Sequence, residues 1–445
     1  MTSLARCVGD AEGFLDRHWA RAPLHRRGAD RSAFADLFSL ADVDHLVSST
    51  SPRLPSLRLV RDGRPLDAGR YTRTAQVGGR PVSGMVDPRR VFEELAGGAT
   101  IVLQGLQRQW APLARFCRSL ERELTHAVQA NAYVTPPQSR GLGVHYDTHD
   151  VFVLQLAGRK AWEIRPPVLA DPLPSQPWTA GRLEASGGEP GVPCLTADLG
   201  AGDCLYVPRG FLHSAAAQEE LSAHLTIGVN TTTRHDVVRL AMAGAADDAA
   251  FRAALAPGWA EDDGALAADV EQVVKQLRDW LDTVDARAVA VTLSRRFWSA
   301  RPPLLAGQLA QLLALDEISD RTRVRRREGT VCRVLAAGMG GGPLGGGPEA
   351  AVAGTAGSDG GSGGGPGRDG GRGAGRDGGG GNSGVSVLLG DRELRMPAAL
   401  APVLGDIAAG EEPFAVADLS DRLDGPSRLV LVRRLVREGL LEMVD

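Results

Sequence analysis

The feature that most constrains this chain is a spaced triplet. His145-Tyr146-Asp147 lies in Gly143-Val144-His145-Tyr146-Asp147, and His213 follows 68 residues later at the end of Gly202-Asp203-Cys204-Leu205-Tyr206-Val207-Pro208-Arg209-Gly210-Phe211-Leu212-His213. Residues i and i+2 of a strand point to one side of a sheet, so His145 and Asp147 can converge on one ion while His213 closes the site from another strand. Two histidines and one carboxylate hold one face of a non-haem Fe(II) and leave the other face open for an oxidant and a co-substrate. The surroundings are written for strands. Residues 151–156 read as a strand, Ala157-Gly158-Arg159 as a turn and residues 160–164 as the returning strand. Gly202-Asp203 is a second turn signal, residues 204–207 are a short apolar strand, and Pro208 with Gly210 forces a bend before His213. Such a chain must close a barrel-like, hairpin-rich β core around the triplet.

A His-x-Asp pair alone is common by chance; its combination with the hairpin, the Gly-Asp turn, the Pro-x-Gly bend and the terminal histidine makes a metal site. His149 and Asp150 follow closely, and His149 shares the face of the pair if the strand continues. It can act as a substitute ligand or as a polar residue supporting the pocket.

The glycine-rich segment 338–384 divides the rest of the chain, with 24 glycines in 47 positions. That composition cannot offset the entropy of ordering, so it reads as a flexible insertion, and Gly-x-Gly matches within it carry no phosphate-loop signal. Residues 1–95 mix short helices and β segments that complete the barrel, giving a first unit over 1–232. A helical region over 233–318 follows the capping cluster Asn230-Thr231-Thr232-Thr233. Leu266, Val270, Val273, Val274, Leu277, Leu281 and Val284 recur at three- and four-residue intervals there and form one apolar stripe, read as intramolecular core or as a dimer face. The last unit, 319–445, contains the insertion between strand-like segments at 330–335 and 385–389. It then has helices over about 397–407, 416–423 and 427–438, and a final strand at 440–444.

That last pattern is winged-helix-like, but residues 385–445 carry 11 acidic against 7 basic side chains. A major-groove reader needs the opposite sign, so direct nucleic-acid binding is disfavoured. The cluster Arg321, Arg323, Arg325, Arg326 and Arg327 reads either as a solvated strand or loop or as a contact with RNA beside a protein substrate. Net charge is −4, no stretch suits a membrane span or a signal peptide, and the five cysteines are widely spaced without a Cys-x-x-Cys. A cytoplasmic protein with reduced thiols is expected.

The residues Asn131-Ala132-Tyr133-Val134-Thr135-Pro136, then His145-Tyr146-Asp147, then residues 150–162, and finally Gly202-Asp203 through His213 with His224-Leu225-Thr226-Ile227, resemble the jumonji-C ribosomal oxygenases of the cupin superfamily. The resemblance implies a mainly β double-stranded β-helix core, an α-helical dimerisation region and a winged-helix-like C-terminal α+β domain. It implies Fe(II) held by His145, Asp147 and His213, with 2-oxoglutarate and O2 as co-substrates. Lys160 would bind the distal carboxylate of 2-oxoglutarate, and Tyr133, Asn131 and Thr226 would line the same pocket. The implied reaction is hydroxylation of an Arg or His side chain of a ribosomal protein by a homodimer. One departure leaves the target side chain open: where some histidine-hydroxylating relatives carry a serine two residues after the pocket threonine, this chain has Gly228.

Composition bears on Lys160 independently. Of 50 basic residues only Lys160 and Lys275 are lysine, so a lysine beside the proposed iron invites a chemical reason: a compact ammonium fits a narrow carboxylate pocket that a guanidinium does not. Three alternatives remain open at this stage: the same oxygenase chemistry on another peptide or a small molecule, a metal-binding cupin without oxygenase activity, and a nucleic-acid-binding regulator.

Overall fold

The computed structural model describes residues 2–139, 143–185, 187–335 and 384–444. An eight-stranded sheet runs in the order Leu24–Arg26, Cys204–Val207, Asp150–Ala157, Ser222–Asn230, Ala127–Thr135, Thr100–Leu103, Leu57–Arg61 and Arg64–Pro65, with every pairing antiparallel. A three-stranded antiparallel sheet of Leu195–Leu199, Lys160–Pro167 and Phe211–Ala217 faces it. Val151, Val153, Leu205 and Val207 of the large sheet pack with Trp162, Ile164, Ala197 and Leu199 of the small one, closing the barrel interior.

The strand Ala127–Thr135 explains how one sequence serves two environments. Val128, Ala130, Ala132 and Val134 face outward into a core shared with Leu4, Leu113, Phe116 and Leu120 of the covering helices Ser3–Val8 and Ala111–Leu124. The alternate residues Asn131, Tyr133 and Thr135 face the opposite side, into the barrel. The sequence therefore places apolar packing on one face and polar chemistry on the other.

The turn expected at 157–159 forms at Gly158, but the strands on either side do not pair as a hairpin, because Asp150–Ala157 joins the eight-stranded sheet and Lys160–Pro167 the three-stranded one. Gly158 sits in the left-handed region at φ +63°, where a Cβ would lie 2.0 Å from the Leu221 carbonyl oxygen. Gly158→Ala is expected to destabilise the fold by roughly 2–4 kcal/mol, read as a lowered urea midpoint. Gly78, also at positive φ but with open space around it, is the control and should cost about 1 kcal/mol when changed to alanine. Equal losses at the two positions would sink the steric account.

Thr233 caps the helix Arg234–Ala243 in a reciprocal capping box with Asp236, as the threonine cluster suggested. The apolar stripe lies on the helix Asp263–Leu281, but no residue of that helix is buried, so its reading as intramolecular core is corrected; Val284 falls beyond the helix end. The C-terminal unit pairs Arg323–Arg326 with Phe414–Ala415 and Leu441–Val444, and Cys332–Leu335 with Gly384–Leu389 and Arg392–Pro397. Helices Ala401–Ala409 and Gly425–Arg437 cover these strands through Val403, Leu404, Leu431, Val432 and Leu435. The residues expected as a helix over 416–423 form only a short 3-10 turn, Val416–Leu419. Except for Gly384, the glycine-rich segment lies outside the described residues.

The basic cluster is not a freely solvated run. Arg325 pairs with Glu442 at 2.9 Å, Arg326 with Glu411 at 2.8 Å, and Arg327 is buried. No helix among the described residues is long and apolar enough to cross a membrane.

Candidate metal and co-substrate site

The three residues of the triplet meet in space. The donor atoms of His145, Asp147 and His213 all lie within 4.8 Å of one another, a grouping able to hold a metal ion. His213 sits on the strand Phe211–Ala217. Its backbone exchanges two hydrogen bonds with His145, at 2.8 and 3.2 Å, and this bridge is what joins residues so far apart in sequence. The expectation that His145 and Asp147 share a strand is corrected: only His145 is bridged, and the segment up to Asp150 is irregular. Asp147 is held instead by the Pro-x-Gly bend, where the Gly210 N–H donates to the Asp147 carbonyl at 3.0 Å. Gly210 is required there, because at φ +84° a Cβ would lie 2.4 Å from the Leu169 carbonyl oxygen.

Both imidazoles are oriented by backbone carbonyls. With Nδ1 protonated, His145 donates to the Gly143 carbonyl at 2.7 Å and His213 to the Phe211 carbonyl at 3.1 Å, which leaves each Nε2 as the free donor for a metal. Burial, together with the neighbouring His145, lowers His213 to about 4, so its ring is neutral at physiological pH. Burial alone would raise the Asp147 carboxyl. The nearby His149, His213, His145 and Arg58 outweigh it and hold the group below its ordinary value, so it is ionised. His149 stands beside the triad and outside the ligand grouping.

Lys160 opens the strand Lys160–Pro167 and is 3% exposed. Its ammonium donates to Thr135 Oγ1 at 3.2 Å and lies 5.9 Å from the centre of the Trp162 ring. Among the described residues no carboxylate pairs with it, and burial lowers it to about 7. Ile164, four residues further along the same strand, pairs with His213, so Lys160 and the triad stand about 13 Å apart along the backbone with both side chains directed inward. A deep cation without an anion, facing a histidine–carboxylate triad, is a pocket shaped for a short dicarboxylate.

The remaining expected residues fall into a ladder. Asn131 pairs across the sheet with Thr226, and Tyr133 with His224, whose rings stack at 5.0 Å. Asn131 Oδ1 already accepts the Gly105 N–H at 3.0 Å. Thr226 lies opposite Asn131 and not against Lys160, whose neighbours are Thr135 and His224. Burial raises the Tyr133 phenol even with Arg58 alongside, so it remains an O–H donor. Sequence reasoning missed Arg58, His224 and Thr135. The available signal was alternation: Arg58 sits between the fully buried Leu57 and Leu59, which commits it to the opposite, barrel-facing side. At Gly228 a Cβ would come within 3.2 Å of both Gln129 Cγ and His149 Cε1, so these two side chains fill the space a serine would occupy.

Residues 104–237, which contain the whole triad and the Lys160 strand, match the JmjC domain family. The chain is 34% identical over 217 residues to ribosomal oxygenase 1 of Gallus gallus, covering 48% of this chain and 34% of that protein. It is 29% identical over 215 residues to the bifunctional lysine-specific demethylase and histidyl-hydroxylase NO66 of Drosophila persimilis, covering 48% and 29%. The chain thus spans about a third of the length of the curated relatives it matches. The fold is similar to that of Escherichia coli YcfD, at TM-score 0.53 and 16% identity over 98% of both chains. It is likewise similar to YcfD, a ribosomal oxygenase, in complex with cobalt and 2-oxoglutarate, at TM-score 0.51 and 17% identity over 97% of this chain and 98% of that one.

Proposed function

We propose that this protein is an Fe(II)- and 2-oxoglutarate-dependent oxygenase that hydroxylates a protein side chain, with an Arg or His of a ribosomal protein as the target. The observation that carries the reading is the pairing of a His-Asp-His triad with the buried, anion-lacking Lys160 inside one barrel. His145 and His213 would offer Nε2 and Asp147 a carboxylate oxygen to the iron. Lys160, supported by Thr135, would take the distal carboxylate of 2-oxoglutarate, while Asn131 and Thr226 would line the pocket between them. When bound, iron and 2-oxoglutarate together supply the oxidising chemistry that an unactivated carbon requires. The protein's own task is positional: imidazoles held by backbone carbonyls, a preset cation, and a dry wall of Trp162, Val151 and Val153. Tyr133, with its phenol protonated beside Arg58, can donate to the substrate. The relatives named as ribosomal oxygenases support a ribosomal protein target.

The test is an anaerobic titration of the metal-free protein with Fe(II), then 2-oxoglutarate, following the visible charge-transfer band, and then aerobic incubation with ribosomal proteins and mass spectrometry. A band followed by a one-oxygen mass gain on an Arg or His supports the proposal. Fe(II) binding without a band would leave a metal-binding cupin in its place.

The unburied stripe on the helix Asp263–Leu281 supports a homodimer. Val270 is 52% exposed, with Val273, Val274 and Leu281 close behind, more apolar surface than one helix ordinarily leaves to water. Light scattering should give twice the chain mass, falling to one chain for Val270→Glu combined with Val274→Glu. A monomeric parent protein would dispose of the assignment. The free thiols of the five cysteines are in keeping with a reducing, cytoplasmic setting.

A further inference from the structure

Between the JmjC domain and the C-terminal unit lies an open groove of about 810 Å³, and its lining is unusually cationic. Arg108, Arg115, Arg118, Arg301, Arg325 and Arg327 line it against only Glu121, Glu328 and Glu442. The arginines come from three separate regions of the chain. Arg301 and Arg327 are 4% and 3% exposed, and each has a buried Nε without a hydrogen-bond partner, as does Nη1 of Arg118. Glu121 is shared: its Oε2 lies 3.5 Å from Nε of both Arg118 and Arg301, too long for a hydrogen bond to either. Arg115 lies 3.5 Å from Glu328, and Arg325 and Arg327 lie 2.9 and 3.8 Å from Glu442, so five arginines share three carboxylates. The buried donors that still lack a hydrogen-bond partner are costly and suit an added anion.

The groove also reaches the barrel. Ala127, Gln129 and Asn230 line it, and the Gln129 side chain packs with His149 around Gly228, beside the triad. Along the strand Ala127–Thr135 the barrel-facing residues lead from Gln129 past Asn131 and Tyr133 to Thr135, which Lys160 touches. Lys160 therefore marks the end of the barrel remote from the groove.

We propose that this groove is an anion-binding channel that holds an acidic stretch of polypeptide leading to the His145–Asp147–His213 centre, a reading that rests on the protein-hydroxylase proposal above. The lining fits carboxylates on a peptide better than phosphates on a nucleic acid. Its one aromatic, Trp110, is packed edge-on against Phe38 at 5.6 Å, and its Nε1 donates to the Leu37 carbonyl, so it offers no free face for a base. Pro302, Pro303, Leu304 and Leu305 supply apolar wall for a peptide. The channel is thus a specificity element: it selects targets with acidic residues next to the hydroxylated position.

The test uses the full chain and fluorescein-labelled hexaglutamate, with hexalysine and a single-stranded oligonucleotide of equal charge as comparisons, read by fluorescence anisotropy. Hexaglutamate should bind, weaken as salt rises, and lose about tenfold in affinity in Arg115→Gln combined with Arg325→Gln. Both positions are about two-fifths exposed, so folding should survive, and an unchanged melting curve checks this. Glu328→Gln removes a competing carboxylate and should tighten binding a fewfold. Absence of hexaglutamate binding, indifference to these substitutions, or tighter binding of the oligonucleotide overturns the proposal. The charge-transfer band of the Fe(II)–2-oxoglutarate titration is recorded on the same samples. A band without peptide binding sinks the channel alone, and peptide binding without a band sinks the oxygenase reading alone.

Discussion

Lys160→Met is expected to do two opposite things, weakening 2-oxoglutarate binding about 100-fold or more and stabilising the protein in the absence of that co-substrate. The first effect follows from removing the buried cation, since losing one partner of a buried, hydrogen-bonded charge pair costs about 2–5 kcal/mol. The second follows from burial. In the unfolded chain this lysine holds its proton up to its ordinary value of 10.5, whereas burial lowers it to about 7 in the fold. Between those values the unfolded state binds more protons, so the folded protein gains stability as pH rises from about 7 towards 10.5 and lacks that gain below about 7. Methionine keeps the volume, removes the proton from the balance and should add about 1–4 kcal/mol near neutral pH. Urea melts of both proteins between pH 6 and 10 check it: the parent curve should rise with pH relative to the variant. If Lys160→Met melts earlier than the parent throughout, the lysine is an ordinary packing residue.

The same linkage acts on binding. A carboxylate partner restores the charged form of Lys160, so 2-oxoglutarate uptake should draw a proton from buffer above pH 7, and its affinity should fall as pH rises further. Calorimetry in two buffers of different ionisation enthalpy measures that proton directly. A null result in the parent, identical to Lys160→Met, would remove Lys160 from the co-substrate site.

His213→Ala should abolish Fe(II) binding and turnover. Losing a hydrogen-bond partner of a metal ligand costs about 10–100-fold in metal affinity or activity, and losing the ligand itself must exceed that. Stability of the metal-free protein should change much less. The His213 ring is already neutral, and the bridge to His145 runs through backbone atoms that alanine retains. Asp147→Ala should match it in metal binding. A His213→Ala protein that binds Fe(II) as the parent does would move the metal elsewhere, with His149 the first residue to test.

The strands 150–157, 160–167 and 204–207 and the turn at Gly158 were legible because each depends on local chemistry, apolar residues closed by glycine, proline or aspartate turns. The reading of 150–167 as a paired hairpin failed because the two strands join different sheets. The triad was legible because its ligand types are rare in that spacing. What the local pattern misjudged was how the pair is held: the periodicity argument put His145 and Asp147 on one strand, while the structure fixes the first through a bridge and the second through the Gly210 bend. Lys160 stood out by composition, but its charge is exceptional only because burial isolates it, which no spacing reveals. The stripe on Asp263–Leu281 illustrates the same limit, since periodicity records an apolar face and not what covers it.

The sequence alone therefore determined the candidate ligand set, the strands and turns around it, the helical region and the acid–base balance of the C-terminal unit, because each is a matter of residue type and near-neighbour spacing. Only the tertiary structure decided the rest: the meeting of His145 with His213, the unpaired burial of Lys160, the row of Arg58, Tyr133 and His224, and the arginine-lined groove. Each of these depends on pairing and solvent exclusion between segments distant in the chain, and local periodicity carries no information about which distant partner removes the water.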